Sequence, residues 1–209
     1  MDSLNLSTLL TPLLLEHPKP IGRIPHVFCD MDGVVADFRG TMKRFYGEMT
    51  GKELDKFLLE PGAWDRVKKA HPNVFARLAV LPEAPALMSG LSRLRDQGFI
   101  QLSMLTAMPS PWHKDPIQRE QVTQDKKQWM AKHFPDVTNL NVIVCLRQEK
   151  MGFALKELKA NMLPPVLIDD FKRNIKEWTR AKGVGILHVR AQETLHELHM
   201  YVRAVVEEA

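Results

Sequence analysis

Two aspartates, Asp30 and Asp32, stand one residue apart, after Val27-Phe28-Cys29 and just ahead of Gly33. The run before them is rich in β-branched and aromatic residues, and an apolar stretch at helical spacing follows the glycine. The segment therefore reads as strand, turn and helix. Alternate strand residues point the same way, so both carboxylates can converge at the carboxyl end of a strand, where open α/β sheets bind ligands. Gly33 lets the backbone turn sharply behind them. Helix capping is the plainer account of Asp32, but it needs one acid and leaves the other without a purpose.

Two further strand ends support a site. Asp169-Asp170 closes the apolar run that begins at Pro165, and Thr106-Ala107 follows the run from Ile100 to Leu105. One acid pair could be capping; two pairs and a threonine at three strand ends make a site. The Thr106 hydroxyl and the next backbone N–H, that of Ala107, can hold a phosphate oxygen. Two lysines are candidates for the matching positive charge. Lys150 lies 19 residues before Asp169, one helix and one strand away. Lys126 shares a helix face with Val122, Trp129 and Met130, where it either snorkels past its neighbours or reaches the site. Lys127 is off that face.

The elements that must position these groups follow from periodicity. Val34 to Tyr46 reads as helix. Residues 40–81 read as short helical pieces broken at Gly47, Gly51, Pro61, Gly62 and Pro72, without a strand, and too long for a simple crossover. They are expected to form a small helical cap, with Phe45, Tyr46, Phe57, Trp64 and Phe75 as its core or as apolar walls over a pocket. Ala84, Leu87, Met88, Leu91 and Leu94 mark an amphipathic helix stopped at Gly98. Helices over Ile117 to Phe134 and around Leu155 and Leu158 alternate with strands at Asn141 to Leu146, Pro165 to Ile168 and Gly183 to Val189, before a last helix through Leu195, Leu198 and Val202. The expectation is an α/β fold: a Rossmann-like open parallel sheet of about five strands with helices on both faces and the cap inserted after the first strand. Residues 1–22 form an extension, 23–39 and 82–209 the core, and 40–81 the cap.

Composition narrows the function classes. The chain has 209 residues, 44% hydrophobic and 26% charged, as in ordinary globular domains. The net charge of +4, without a run of five basic residues, suits a small anionic substrate at least as well as nucleic acid. Cys29 and Cys145 sit in apolar runs and read as buried thiols of a reducing compartment, not as a disulfide or a metal site. The leucines of the first 20 residues lack a basic flank and a cleavage site, so a signal peptide is not expected, and no apolar run is long enough for a membrane span. A cytoplasmic location is expected. That leucine-rich segment packs on the domain or serves a contact in a homodimer.

Asp-Met-Asp-Gly-Val with Asp37-Phe38 resembles the first motif of the haloacid dehalogenase-like phosphohydrolases, and Leu-Thr106-Ala107 the second. Leu-Pro ahead of the Ala84 helix, Lys126-x-x-Trp129, the Arg147 and Lys150 pair, and Leu-Ile-Asp169-Asp170 with Asn174 extend the likeness to the 5'(3')-deoxyribonucleotidases. The resemblance implies that Asp30 attacks phosphorus and forms an aspartyl phosphate. It makes Asp32 the group that protonates the leaving oxygen and then deprotonates water. It favours Lys150 as the phosphate-binding cation, with Lys126 as rival, and implies substrate contacts from Arg147 and, to a base, from Phe38. Two carboxylates about 4 Å apart repel by roughly 4 kcal/mol at an effective dielectric near 20, and a phosphate adds to this. A hard cation is therefore expected, Mg²⁺ held by Asp30, Asp32 and Asp170, with Asp169 behind it or as an alternative ligand.

The substrate so implied is a nucleoside monophosphate. Two other classes remain from sequence. One is a phosphatase of another small phosphate or of a nucleic-acid terminus, using His113, Lys114, Arg119, Lys126, Lys127, Lys132 and Arg147 along a backbone. The other is a non-catalytic phosphate-binding module, against which the simultaneous presence of Asp30 and Asp32 argues.

Overall fold

The computed structural model describes residues 24–47, 51–137, 139–161 and 163–207, so the expectations for the N-terminal 22 residues lie outside it. Strand β1 (His26–Cys29) leads through the two-residue strand β2 (Ala36–Asp37) into helices α1 (Phe38–Tyr46), α2 (Gly51–Leu59) and α3 (Ala63–Ala70). A 3-10 turn at Val74–Arg77 and strand β3 (Ala79–Val80) bring the chain back to α4 (Ala84–Asp96) and β4 (Gln101–Ala107). Then follow α5 (Ser110–His113), α6 (Pro116–His133), β5 (Asn141–Cys145), α7 (Lys150–Asn161), β6 (Val166–Asp169), α8 (Lys172–Arg180), β7 (Val184–Leu187) and α9 (Ala191–Glu207).

The main sheet has the order β5-β4-β1-β6-β7 with every pairing parallel. Each crossover therefore lays helices on the sheet faces, and strand residues alternate between two cores. Val27, Cys29, Met104 and Ile168 join one cluster with Leu87 and Leu91 of α4, Trp129 of α6 and Leu198 of α9. Phe28, Leu105 and Leu167 join the other with Ala154 of α7 and Trp178 of α8. Both cysteines are free and buried. Burial pushes the Cys145 thiol up to about 12, so it is an inert packing group. Among the described residues no helix is long and apolar enough to cross a membrane.

The stretch after Gly33 differs from the expected helix. The amides of Val34, Val35 and Ala36 all donate to the carbonyl of Met31, at 3.2, 2.9 and 2.8 Å, closing a tight turn. Ala36–Asp37 then pairs antiparallel with Ala79–Val80, and the helix starts only at Phe38, where the Asp37 side chain accepts from Gly40 N–H at 2.7 Å. The strand Ala79–Val80 also corrects the expectation of none between residues 40 and 81. Two-residue strands are too short to leave a period in the sequence. The three helices of the insertion thus hang from a small hairpin stem. The Trp129 indole, donating to the Leu78 carbonyl at 2.8 Å, ties that stem to α6.

Candidate active site

The register of the sheet sets the site. Cys29 lies opposite Met104 of β4 and Ile168 of β6, so Asp30 and Asp169 leave their strands at the same level of the carboxyl edge, and Thr106, two residues past Met104, stands one step further along β4. The Asp30 amide donates to the Ile168 carbonyl at 2.9 Å, which fixes the backbone of the first acid.

Around these strand ends the groups fall into two halves, each built on a buried lysine. In the first, Lys150 Nζ lies 2.9 Å from Asp30 Oδ2 and 2.8 Å from Asp169 Oδ2. Burial alone would discharge this amine, but the two carboxylates outweigh it and raise its affinity for the proton. Asp169 is saturated: its oxygens also accept from Asn174 Nδ2 at 2.9 and 3.1 Å and from the Phe171 amide at 2.9 Å. Asp30 Oδ1 accepts from the Met31 amide at 2.8 Å. Asp170 projects toward Gly33, whose φ of +85° only glycine adopts freely, and a Cβ at that position would overlap the Asp170 carboxylate.

Oxygens of Asp30, Asp169 and Asp170 can lie within 4.8 Å of one another. One lysine does not balance three acids. Loss of solvent and the charges of Asp30 and Asp169 push Asp170 up to about 7, although the residue as a whole is exposed. The same causes, with Asp30 as the neighbour, push Asp169 up to about 6. An all-oxygen set carrying excess negative charge fits a hard divalent cation. With Asp169 committed to four hydrogen bonds from three donors, Asp30 and Asp170 are the carboxylates best placed to take it.

In the second half, Lys126 Nζ donates to Asp32 Oδ2 and to Thr106 Oγ1, both at 2.7 Å. Lys126 is fully buried and its ammonium lies 4.7 Å from the centre of the Phe75 ring, while Lys127 is exposed. Burial raises the pKa of Asp32 in spite of the lysine. Its Oδ1 is buried and, among the described residues, has no hydrogen-bond partner. Asp32 thus stands outside the three-acid group in which the spacing placed it. The strand ends at Cys29 and Asp32 sits in the turn, bridged to Ala36, so the i, i+2 alternation of a strand no longer aims it beside Asp30.

The remaining predicted residues divide. Ala107, half-buried, ends β4, and the Met108 amide after it donates to the Cys145 carbonyl at 2.9 Å. Phe38 is half-buried at the start of α1, with its ring nearly parallel to those of Trp64 (6.1 Å, 25°) and Phe75 (6.3 Å, 14°). Trp112 meets Phe75 edge-on at 6.1 Å. Arg147 donates to Glu177 at 2.8 Å and to the side-chain oxygen Oδ1 of Asn174 at 3.2 Å, so among the described residues its link to Asp169 runs through the Asn174 side chain. Two residues named from the sequence, Asn174 in the resemblance and Phe75 among the aromatics of residues 40–81, have contacts that the sequence did not signal. Asn174 holds Asp169 from one helical turn away, and Phe75 covers Lys126 from the insertion.

The profile of one protein family, "5' nucleotidase, deoxy (Pyrimidine), cytosolic type C protein", matches residues 23–204. The chain belongs to that family. It is a phosphatase, a phosphoric monoester hydrolase. Among curated proteins none matches. Solved structures with a similar trace include a protein of Mesorhizobium loti assigned to the HAD-like phosphatases, 13% identical over 91% of both chains with a TM-score of 0.46. Another is the HAD domain of the effector Lem4 of Legionella pneumophila, 12% identical over 89% of this chain and 98% of that one, with a TM-score of 0.45. A hydrolase of Streptococcus pneumoniae is 10% identical over 88% and 99%, with a TM-score of 0.47. Likenesses this remote say nothing of the phosphatase's substrate.

Proposed function

We propose that this phosphatase is a Mg²⁺-dependent nucleotidase of the 5'(3')-deoxyribonucleotidase type that works through an aspartyl phosphate on Asp30. The observation that carries the reading is the convergence of Asp30, Asp170 and Lys150 beside a separate Asp32–Lys126–Thr106 group at one sheet edge. Asp30 attacks phosphorus in line with the ester oxygen, the P–O ester bond breaks, and Asp32 Oδ1 gives its proton to the leaving alcohol. The now ionised Asp32 takes a proton from water, whose oxygen attacks the phosphoryl group and releases inorganic phosphate with Asp30 regenerated. Lys150 neutralises the attacking carboxylate and the phosphate together. Lys126 orients Asp32 and Thr106, and Thr106 with the Ala107 amide binds a phosphate oxygen. Asp30 and Asp170 would hold Mg²⁺, which supplies charge compensation for the phosphoryl oxygens.

Residues 40–81 act as the cap of a core formed by 23–39 and 82–209. The ring of Phe38, backed by Trp64 and Phe75, offers a nucleobase a flat apolar face. Phosphate release from a panel of nucleoside monophosphates and sugar phosphates, with Mg²⁺ and with chelator, tests the proposal. Nucleotides should lead the panel, and only with metal. Faster turnover of sugar phosphates would reject the nucleotide, and full activity in chelator would reject the cation.

A further inference from the structure

Helix α8 starts two residues after Asp170, so its first turn borders the reaction centre. From Phe171 to Lys182 the chain carries five cations, Lys172, Arg173, Lys176, Arg180 and Lys182, against one acid, Glu177. That acid is already taken by Arg147 and Arg173, each at 2.8 Å. Lys172, Lys176 and Arg180 recur every four residues and are exposed, so they form one stripe along the helix. Among the described residues none of the three is in an ion pair with a carboxylate. Arg180 and Lys182 suit the negative end of the helix dipole, but Lys172 and Arg173 stand in the first turn, where the dipole opposes them and no acid is present. Helix stability does not account for that end of the stripe.

A second feature sits at the same end. Phe171 is 49% exposed, and its backbone amide donates to Asp169 Oδ1 at 2.9 Å, which fixes this residue's backbone next to the site. Val189, 65% exposed, follows His188, whose amide donates to the Asp169 carbonyl at 3.0 Å, so a second apolar group flanks the site.

We propose that α8 and Phe171 form a track for single-stranded nucleic acid, which lays its backbone along Lys172, Lys176 and Arg180 and brings a terminal phosphate to Asp30. The stripe spans about 12 Å at 1.5 Å per residue, enough for several phosphates of a flexible strand. Cations in a row along an exposed helix face can follow a strand's backbone, and an aromatic ring at one end serves any base, since every base has a face to stack. An acidic protein surface would be drawn to the cations but gains little from a ring beside a phosphatase centre. The chemistry is unchanged: water enters, the terminal P–O ester bond breaks, and inorganic phosphate leaves a free hydroxyl on the strand. The inference rests on the Asp30 phosphatase centre and adds a substrate to it.

The test uses the full chain with Mg²⁺, a short single-stranded DNA phosphorylated at both ends, a nucleoside monophosphate, and the double variant Lys176→Glu, Arg180→Glu. The variant should keep mononucleotide turnover within about twofold while release from DNA falls by at least about tenfold. Three phosphate contacts give wild-type DNA affinity, read by fluorescence anisotropy, a log–log salt slope of about −2, and the variant should flatten it. The proposal is overturned if wild type and variant bind and process DNA alike, or if wild type hydrolyses the mononucleotide and neither binds nor processes the DNA. Displacement of the DNA by polyglutamate at lower concentration than by unphosphorylated DNA would overturn it in favour of an acidic protein partner. Activity on DNA ends without activity on any mononucleotide would keep the track and reject the nucleotidase reading.

Discussion

The two lysine-centred halves of the site look alike in bond lengths and differ in charge balance. Lys150 faces Asp30 and Asp169 with Asp170 close by, three acids to one cation, whereas Lys126 faces Asp32 alone and shares its remaining capacity with a neutral hydroxyl. The surplus of negative charge in the first half fits a hard divalent cation. The balanced second half has no such surplus. It keeps one acid in a desolvated pocket with a raised pKa, the state in which a carboxyl can hand over a proton. The proposed nucleophile and acid are thereby kept apart although a single residue, Met31, separates them in the chain.

The sharpest way to break this division is to remove one carboxylate from each half. Asp30→Asn should abolish measurable turnover, because an amide cannot act as the attacking group. Asp32→Asn should cost roughly 10²- to 10⁴-fold in kcat, the worth of the missing proton transfer, and less for substrates with good leaving groups such as aryl phosphates. Near wild-type rates in Asp30→Asn would place the nucleophile elsewhere. An Asp32→Asn defect equal for alkyl and aryl esters would remove its role as acid.

The lysines give a smaller and more discriminating contrast. Lys150→Ala strips the charge that offsets Asp30 and phosphate, and kcat/KM should fall about 10²- to 10³-fold. Lys126→Ala leaves the metal half intact and should cost about tenfold, seen chiefly as a shifted pH profile because Asp32 loses the cation that restrains its pKa. If Lys126→Ala proves the more severe in saturating Mg²⁺, the two roles are exchanged.

How much of this was legible in the sequence varies with the range of the interaction. Strand ends at Asp30, Thr106 and Asp169 were readable because each is a short apolar run closed by polar residues, a local signal. The turn that carries Asp32 away from the metal half was not, since the bonds to the Met31 carbonyl leave no period. Arg147 shows the same limit from another side: its charge is visible in the sequence, but its engagement by Glu177 and Asn174 depends on α8 packing beside it. Phe75 read as core and is core, with a second duty over Lys126 that only the folded insertion creates.

Metal and proton compete in the first half, and stability should show it. Asp169 and Asp170 have pKa values raised to about 6 and about 7, so the folded protein holds their protons more tightly than the unfolded chain. Their contribution to stability is therefore present at acid pH and is lost as the pH rises through those values. Without metal the Tm should decline between about pH 4 and pH 7, from the unfolded carboxyl range up to the folded values. If Asp170 takes Mg²⁺ as proposed, it does so in its ionised form, so the Tm increment from the metal should grow over the same window. At 100 times Kd it should reach about 2.7 kcal/mol, roughly 5–10 °C for a chain of this size. An increment that does not change with pH would mean that Asp170 is not a carboxylate the metal meets.

The last effect belongs to the insertion, falls on KM and not on kcat, and tests whether the insertion takes part in choosing the substrate. Phe38 is joined to the second half of the site through Phe75, whose ring lies 6.3 Å from Phe38 and 4.7 Å from the Lys126 ammonium. A base stacked on Phe38 contributes about 1–3 kcal/mol, so Phe38→Ala should raise KM for nucleoside monophosphates by about one decade, up to two. An aryl phosphate lacking a base should be affected less, because the ring touches neither Asp30 nor Lys150 and the loss is one of uniform binding, with kcat little changed. Equal losses for both substrates would assign Phe38 to the packing of the insertion instead, through its contact with Trp64 at 6.1 Å. Phe38→Leu decides between these accounts: it keeps apolar volume against Trp64 and Phe75 but removes the flat face, so a specificity role predicts the nucleotide defect in both variants and a packing role predicts it in Phe38→Ala alone.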